Sequence, residues 1–229
     1  MKSKSILLSC ALGVAFLAPL APQQASAQVT KSGPGYLLRM KFVKGQVLKY
    51  TIVTKTPMGS QSMVSTMTVK DIKNGIATIY SVVNMPQTGA GRNSKPITQT
   101  LQMDNRGKVV GRGSATPAGA ATPTLPANAV RVGESWNGDI KVQSGVNLTS
   151  VYTLLSVKTV GSKLVAEIGQ KVSGNMGTMG KMSGQGRLNL DGRDGSLMGG
   201  TVNMNLVIPS QDPKSKPTNM AISTVITRN

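Results

Sequence analysis

The chain has 229 residues, 26 Lys+Arg against 8 Asp+Glu, a formal net charge of +18, no histidine and one cysteine. Without histidine, and with Cys10 as the only thiol, the commonest general base, the thiol nucleophiles, the usual zinc ligands and any internal disulfide are lost, so a non-enzymatic protein with no cofactor is expected. Aromatic residues are 3 % of the chain, too few for the base-stacking platforms of nucleic-acid binders, a carbohydrate-stacking face or the girdles of an outer-membrane barrel.

The first element is an export signal. Lys2 and Lys4 precede an apolar run over residues 6–20, and Ala25-Ser26-Ala27 places small residues at −3 and −1 of a cut before Gln28. Residues 1–27 are therefore expected to be removed, giving a periplasmic or extracellular chain over 28–229. A lipoprotein reading needs Cys10 as the modified residue, but only residues 6–9 would precede it as apolar segment. No later stretch has the roughly 18 apolar residues of a spanning helix.

From there the chain reads as strands. Leu48, Tyr50 and Ile52 alternate with Lys49 and Thr51; Leu164, Ala166 and Ile168 alternate with Val165 and Glu167; Val202, Met204, Leu206 and Ile208 alternate with Asn203 and Asn205. Turn chemistry separates the runs at Asn74-Gly75, Asp104-Asn105-Arg106-Gly107, Gly161-Ser162 and Asp191-Gly192-Arg193-Asp194-Gly195. No stretch holds a 3.6-residue apolar period for long. The expected fold is all-β: a mostly antiparallel curved sheet or barrel-like sandwich of about ten strands, in a single domain over 28–229.

The turns recur in the same order. Lys44-Gly45-Gln46-Val47-Leu48 matches Val132-Gly133-Glu134-Ser135-Trp136 at an offset of 88, Val69-Lys70 matches Val157-Lys158 at 88, and Leu101-Gln102-Met103-Asp104 matches Leu188-Asn189-Leu190-Asp191 at 87. Two half-repeats, about 36–112 and 130–229, are expected, joined by an Ala/Thr/Pro/Gly-rich linker over 113–129.

Gly45-Gln46-Val47-Leu48-Lys49-Tyr50, then Leu125-Pro126 and Val132-Gly133-Glu134-Ser135-Trp136, resemble the motifs of exported bacterial β-rich proteins classed as a domain of unknown function. That resemblance covers most of the mature chain and implies no activity. In architecture the chain is more distantly similar to periplasmic lipoprotein-carrier and lipid-carrier half-barrels, in which a curved sheet holds acyl chains under helices; no helix to serve as such a lid is evident here.

Two candidate sites follow. Leu48, Tyr50, Ile52, Leu164, Ile168, Met204, Leu206 and Ile208 are expected on the inner face of the sheet, where they would line a site for a lipid or other amphiphile. Met176, Met179 and Met182, in a glycine-rich loop, offer soft thioethers suited to Cu(I), although methionine also packs irregular apolar surface. Asp191 and Asp194 are the close carboxylate pair, and a turn Asp ordinarily caps its own backbone. Ser135 resembles an elbow nucleophile only in part, with no histidine to activate it. The opposing functional class is an envelope-associated protein whose positive surface adheres to anionic polymers.

Overall fold

A computed structural model of the protein describes residues 28–85, 95–110, 122–141, 147–177, 180–210, 214 and 216–229. The signal-like segment 1–27, most of the linker and Met179 lie outside the described residues. These form thirteen strands and no α-helix: β1 (Val29–Ser32), β2 (Gly35–Leu38), β3 (Val47–Thr56), β4 (Gly59–Lys73), β5 (Ile76–Asn84), β6 (Ile97–Met103), β7 (Val109–Val110), β8 (Ser135–Lys141), β9 (Asn147–Val160), β10 (Lys163–Asn175), β11 (Lys181–Asp191), β12 (Leu197–Ile208) and β13 (Thr218–Arg228).

The pair β1–β2 is a separate hairpin, and the other eleven strands make one antiparallel sheet in the order β7-β6-β5-β4-β3-β13-β12-β11-β10-β9-β8. Alternation is the cause: in β5 every second residue, from Ala77 to Val83, is buried, as expected of a sheet with one covered face. Asn74 and Gly75 both take positive φ (51° and 76°), the I′ geometry that matches strand twist and closes a two-residue hairpin. The sheet is not closed into a barrel, which removes the barrel form of the expected fold and leaves the curved sheet. The strand count exceeds ten because β1, β2 and β7, of two to four residues each, are too short for a periodic signal.

Register aligns the two halves in detail. Gly45 and Gly133 both have positive φ (83° and 91°), and their N–H groups donate to Val69 O and Leu154 O of the neighbouring strand. Immediately after those residues each partner strand has a one-residue bulge, at Lys70 in β4 and Leu155 in β9. Paired outward from there, Ser65 corresponds to Ser150, Ala77 to Ala166, Ile79 to Ile168, Val83 to Val172, Leu101 to Leu188 and Asp104 to Asp191. Val69 thus corresponds to Leu154, an offset of 85, and not to Val157; longer strands around the Gly161-Ser162 turn absorb the difference.

Both Asp-containing turns lie at one end of the sheet and are drawn together there. Met40 N donates to Asn105 O (2.7 Å) in the β6–β7 turn, and Lys41 N donates to Asp194 O (2.8 Å) in the β11–β12 turn. In a flat sheet those turns would stand about 29 Å apart at a strand spacing of about 4.8 Å. Adjacent residues of one strap reach both, so the sheet curls strongly at this end. A second strap, 122–130, fills the seam between the outermost strands. Thr124 O accepts the Trp136 indole N–H (2.7 Å) from β8, while Leu125 N donates to Arg106 O (2.7 Å) and Leu125 O accepts from the Arg106 side-chain Nε (2.9 Å) beside β7. Arg39 fastens the straps together by donating to Pro126 O (2.8 Å) and Ala127 O (2.5 Å).

The core sits inside this curl. Val29, Leu38 and Met40 of the first strap and hairpin, and Leu125 and Val130 of the second, join Leu48, Ile79, Leu101, Leu154, Ile168, Leu188 and Ile226 of the sheet in one cluster. Each fully buried aliphatic contributes about 1.5–3 kcal/mol. Straps therefore do the covering that helices do in half-barrels.

Candidate ligand-binding face

The straps fill the interior only at the end where the Asp turns lie. Toward the other end the inner face loses its cover among the described residues. Leu48, Tyr50, Ile52 and Ile168 are buried, Leu164 and Met204 are partly buried against the core, and Leu206 and Ile208 are half-buried. Register places all eight on the same face, with Ile52 opposite Ile226, Ile226 opposite Gly200, and Met204 and Leu206 following on β12. The half-buried surface continues through Met63, Met182, Met220 and Ile222, which share that face. Glycines make the curvature possible: a Cβ at Gly184 would stand 2.7 Å from the Met204 side chain and one at Gly186 would stand 2.8 Å from that of Val202. Crowding on a concave face is thus relieved by pairing a glycine with a bulky residue.

Polar side chains interrupt this face in several places, among them Thr54 with Thr224 and Ser150 with Gln170, and in one place they lack partners. Ser65 and Ser81 are 0 % and 1 % exposed, and Ser65 Oγ, Ser81 Oγ and Gln99 Nε2 are buried without a hydrogen-bond partner in the protein. The three are neighbours: Ser81 pairs with Gln99 across β5–β6 and with Met67 across β4–β5, while Ser65 pairs with Tyr50 and Val83. A buried polar atom left without a partner costs about 1–3 kcal/mol, so three together in one stretch of the wall mark where a polar atom is wanted. The corresponding positions of the second half are satisfied. Gln170, the counterpart of Ser81, donates to Ser150 Oγ and Tyr152 Oη, both at 3.4 Å.

The other sequence candidates are placed differently. Met176 lies in the β10–β11 turn, its N–H donating to Gly180 O (2.8 Å); Met182 faces inward on β11 opposite Gly174 and Leu206; Met179 is outside the described residues. Asp191 is 2 % exposed, accepts from Arg193 Nη2 at 2.7 Å, and has Arg228 at 3.9 Å. Asp194 caps Ser196 N (2.9 Å) and pairs with Arg228 at 3.3 Å. Hydrogen bonding from the Arg193 side chain, partly opposed by burial, holds the Asp191 carboxyl below the usual aspartate range. This cluster ties β13 to the β11–β12 turn, and Asp104 caps Arg106 N and Lys108 N (2.9 Å each) in the same way. Burial pushes the neighbouring Tyr50 hydroxyl up to about 12, against a smaller opposing effect from Arg228. Ser135 Oγ bonds Thr153 Oγ1 (2.8 Å) across β8–β9 and is exposed.

The outer face carries a shallow groove of about 540 Å³ lined by Thr153, Glu167, Gln185, Arg187 and Asn203, in which Arg187 pairs with Glu167 at 2.9 Å.

No protein-family model matches the chain, and no curated protein does. Among solved structures, the crystal structure of Rv2717c from M. tuberculosis is similar with a TM-score of 0.35 and 10 % identity, the match covering 81 % of this chain and 92 % of that one.

Sequence reasoning missed Ser65, Ser81 and Gln99. Their signal was a serine or glutamine at an inward position of an apolar alternation, as in Met63-x-Ser65-x-Met67 and Ile79-x-Ser81-x-Val83, where a strand buried on that face has no use for a hydroxyl.

Proposed function

We propose that this is an exported protein that binds an amphiphilic ligand on the inner face of its sheet. The polar part reaches the Ser65–Ser81–Gln99 cluster, and the alkyl part lies on the apolar surface that runs from Met63 and Ile52 toward Ile222 and Met204. The observation that carries the reading is the cluster of unpartnered buried polar atoms on the same face as the half-buried apolar residues. Such a combination of apolar wall and few convergent polar groups is the usual form of a small-molecule site.

The test is titration with the uncharged probe N-phenyl-1-naphthylamine. Its fluorescence is expected to rise saturably, unaffected by 0.5 M salt, and Leu206→Lys is expected to weaken binding by at least about tenfold by placing a charge on the apolar face. In the same protein, Ser65→Ala and Ser81→Ala are each expected to raise unfolding free energy by about 1 kcal/mol, because each removes a buried hydroxyl that lacks a partner. Absence of probe binding by the unmodified protein refutes the proposal.

A second reading, adhesion to anionic envelope polymers, is favoured by where the cations lie. Among the described inner-facing side chains of the sheet the only Lys or Arg is Arg228, already paired with Asp194, so the other described Lys and Arg side chains of the sheet lie on its outer face and turns. Co-sedimentation with phosphatidylglycerol vesicles that disappears by about 0.5 M salt supports it, since exposed charges are screened on that scale; salt-independent or absent sedimentation excludes it.

A further inference from the structure

Resting on the ligand-binding reading, we infer that the polar part of the occupant is uncharged: a hydroxyl, ester or amide group on an alkyl chain, and not a carboxylate, phosphate or ammonium. Three observations converge on this. The receiving atoms are two hydroxyls, which donate or accept, and one amide nitrogen, which donates. Together they match an ester or amide carbonyl, or an alcohol, and supply no formal charge.

The surroundings offer no counter-ion either. Register places Tyr50, Met67 and Val83 around the two serines, and the nearest inner-facing cation in the sheet, Arg228, which pairs with Tyr50 on the next strand, is already held between Asp191 and Asp194 at 3.9 and 3.3 Å. An ion taken from water into such a place loses its hydration with nothing in return, whereas a neutral polar group loses less and gains the hydrogen bonds. Because the chain carries 26 Lys+Arg, their exclusion from this face is not a matter of scarcity.

The corresponding positions of the second half supply the third observation. Where the second half has Ser150, Gln170 and Tyr152 bonded to one another, the first has Ser65, Ser81 and Met67 at the corresponding positions. Ser81 is too short to reach across as Gln170 does, and Met67 has no hydroxyl to offer. The same framework is thus self-satisfied in one half and left open to a guest in the other.

The experiment is displacement of bound N-phenyl-1-naphthylamine from the full protein at pH 8.5, with dodecan-1-ol, 1-monolauroylglycerol, dodecanoate, dodecylammonium and dodecane, each below its aggregation threshold. Dodecan-1-ol and monolauroylglycerol are expected to displace the probe at concentrations at least about thirtyfold below dodecanoate or dodecylammonium, reflecting the cost of stripping water from an unpaired ion. In the Ser65→Ala/Ser81→Ala double variant, whose fold is checked by its thermal midpoint, the alcohol should fall to the affinity of dodecane while dodecane itself is unchanged. Dodecanoate or dodecylammonium binding as tightly as the alcohol overturns the inference and leaves the ligand-binding reading in place. An alcohol no better than dodecane in the unmodified protein overturns it as well. Failure of the probe itself to bind takes both down.

Discussion

Gly195→Ala is expected to destabilise the protein by about 3–5 kcal/mol, roughly 10 °C or more in thermal midpoint for a chain of this size, whereas Gly161→Ala is expected to cost only about 1 kcal/mol. The two glycines have nearly the same backbone conformation, φ +66° and +62°, so the intrinsic penalty for a Cβ is shared. Their surroundings differ. Nothing lies within 4 Å of a Cβ built on Gly161, but one built on Gly195 runs into the Arg39 carbonyl and lies 3.1 Å from Met40 Cα. Those atoms belong to the strap that donates to Asn105 O and Asp194 O, so the clash is relieved only by lifting the strap from both turns and exposing Leu38 and Met40, now 0 % and 6 % accessible. Denaturant titration of both variants checks the pair. Equal losses would mean that the strap yields easily and that the curl of the sheet does not depend on it.

How much of this was legible in the sequence can be read from the same residues. Alternation in β3, β10 and β12 assigned the inner face correctly because a strand with one buried face has a period of two, and no tertiary contact can change which side chains share that face. The order of turns pointed to two similar halves, since Gly45 and Gly133 take positive φ and Asp104 and Asp191 cap the backbone of their own turns. The local offset around Val69 was misjudged, because the β9–β10 hairpin is longer around its turn than the β4–β5 hairpin, and added length in an alternating strand leaves the pattern of residue types unchanged. The straps were not legible. Residues 38–42 and 122–130 carry no periodic pattern, and what fixes them is bonding to turns far away in the chain, through Arg39, Arg106 and Trp136. The polar cluster went unseen for a related reason: a serine in a strand is ordinary until its neighbours across the sheet are known to offer it nothing.

Asp191→Ala is expected to cost about 3–5 kcal/mol, the usual penalty for removing one partner of a buried ion pair, and Asp191→Asn nearly as much. The carboxylate, 2 % exposed, accepts from Arg193 N at 3.0 Å and from the Arg193 guanidinium at 2.7 Å, with Arg228 at 3.9 Å. Arg228 is itself only 26 % exposed, so without the carboxylate its positive charge stays half-buried with Asp194 as the remaining counter-ion. Asparagine can still cap Arg193 N but cannot balance that charge, which separates turn capping from electrostatics: a variant that recovers most of the stability would assign the effect to the cap. The pH dependence gives an independent check. The folded Asp191 carboxyl titrates below the usual aspartate value, near 3.9 in an unfolded chain. Its contribution is therefore complete above about pH 5 and is lost as pH falls through about 3.9 toward the lower folded value, where the native state must take up a proton that the unfolded state already holds. Unfolding free energy measured from pH 6 to pH 2 should fall steeply in the unmodified protein and distinctly less steeply in Asp191→Asn. Identical slopes would show that acid sensitivity arises elsewhere and that this carboxylate does not anchor β13 to the β11–β12 turn through its charge.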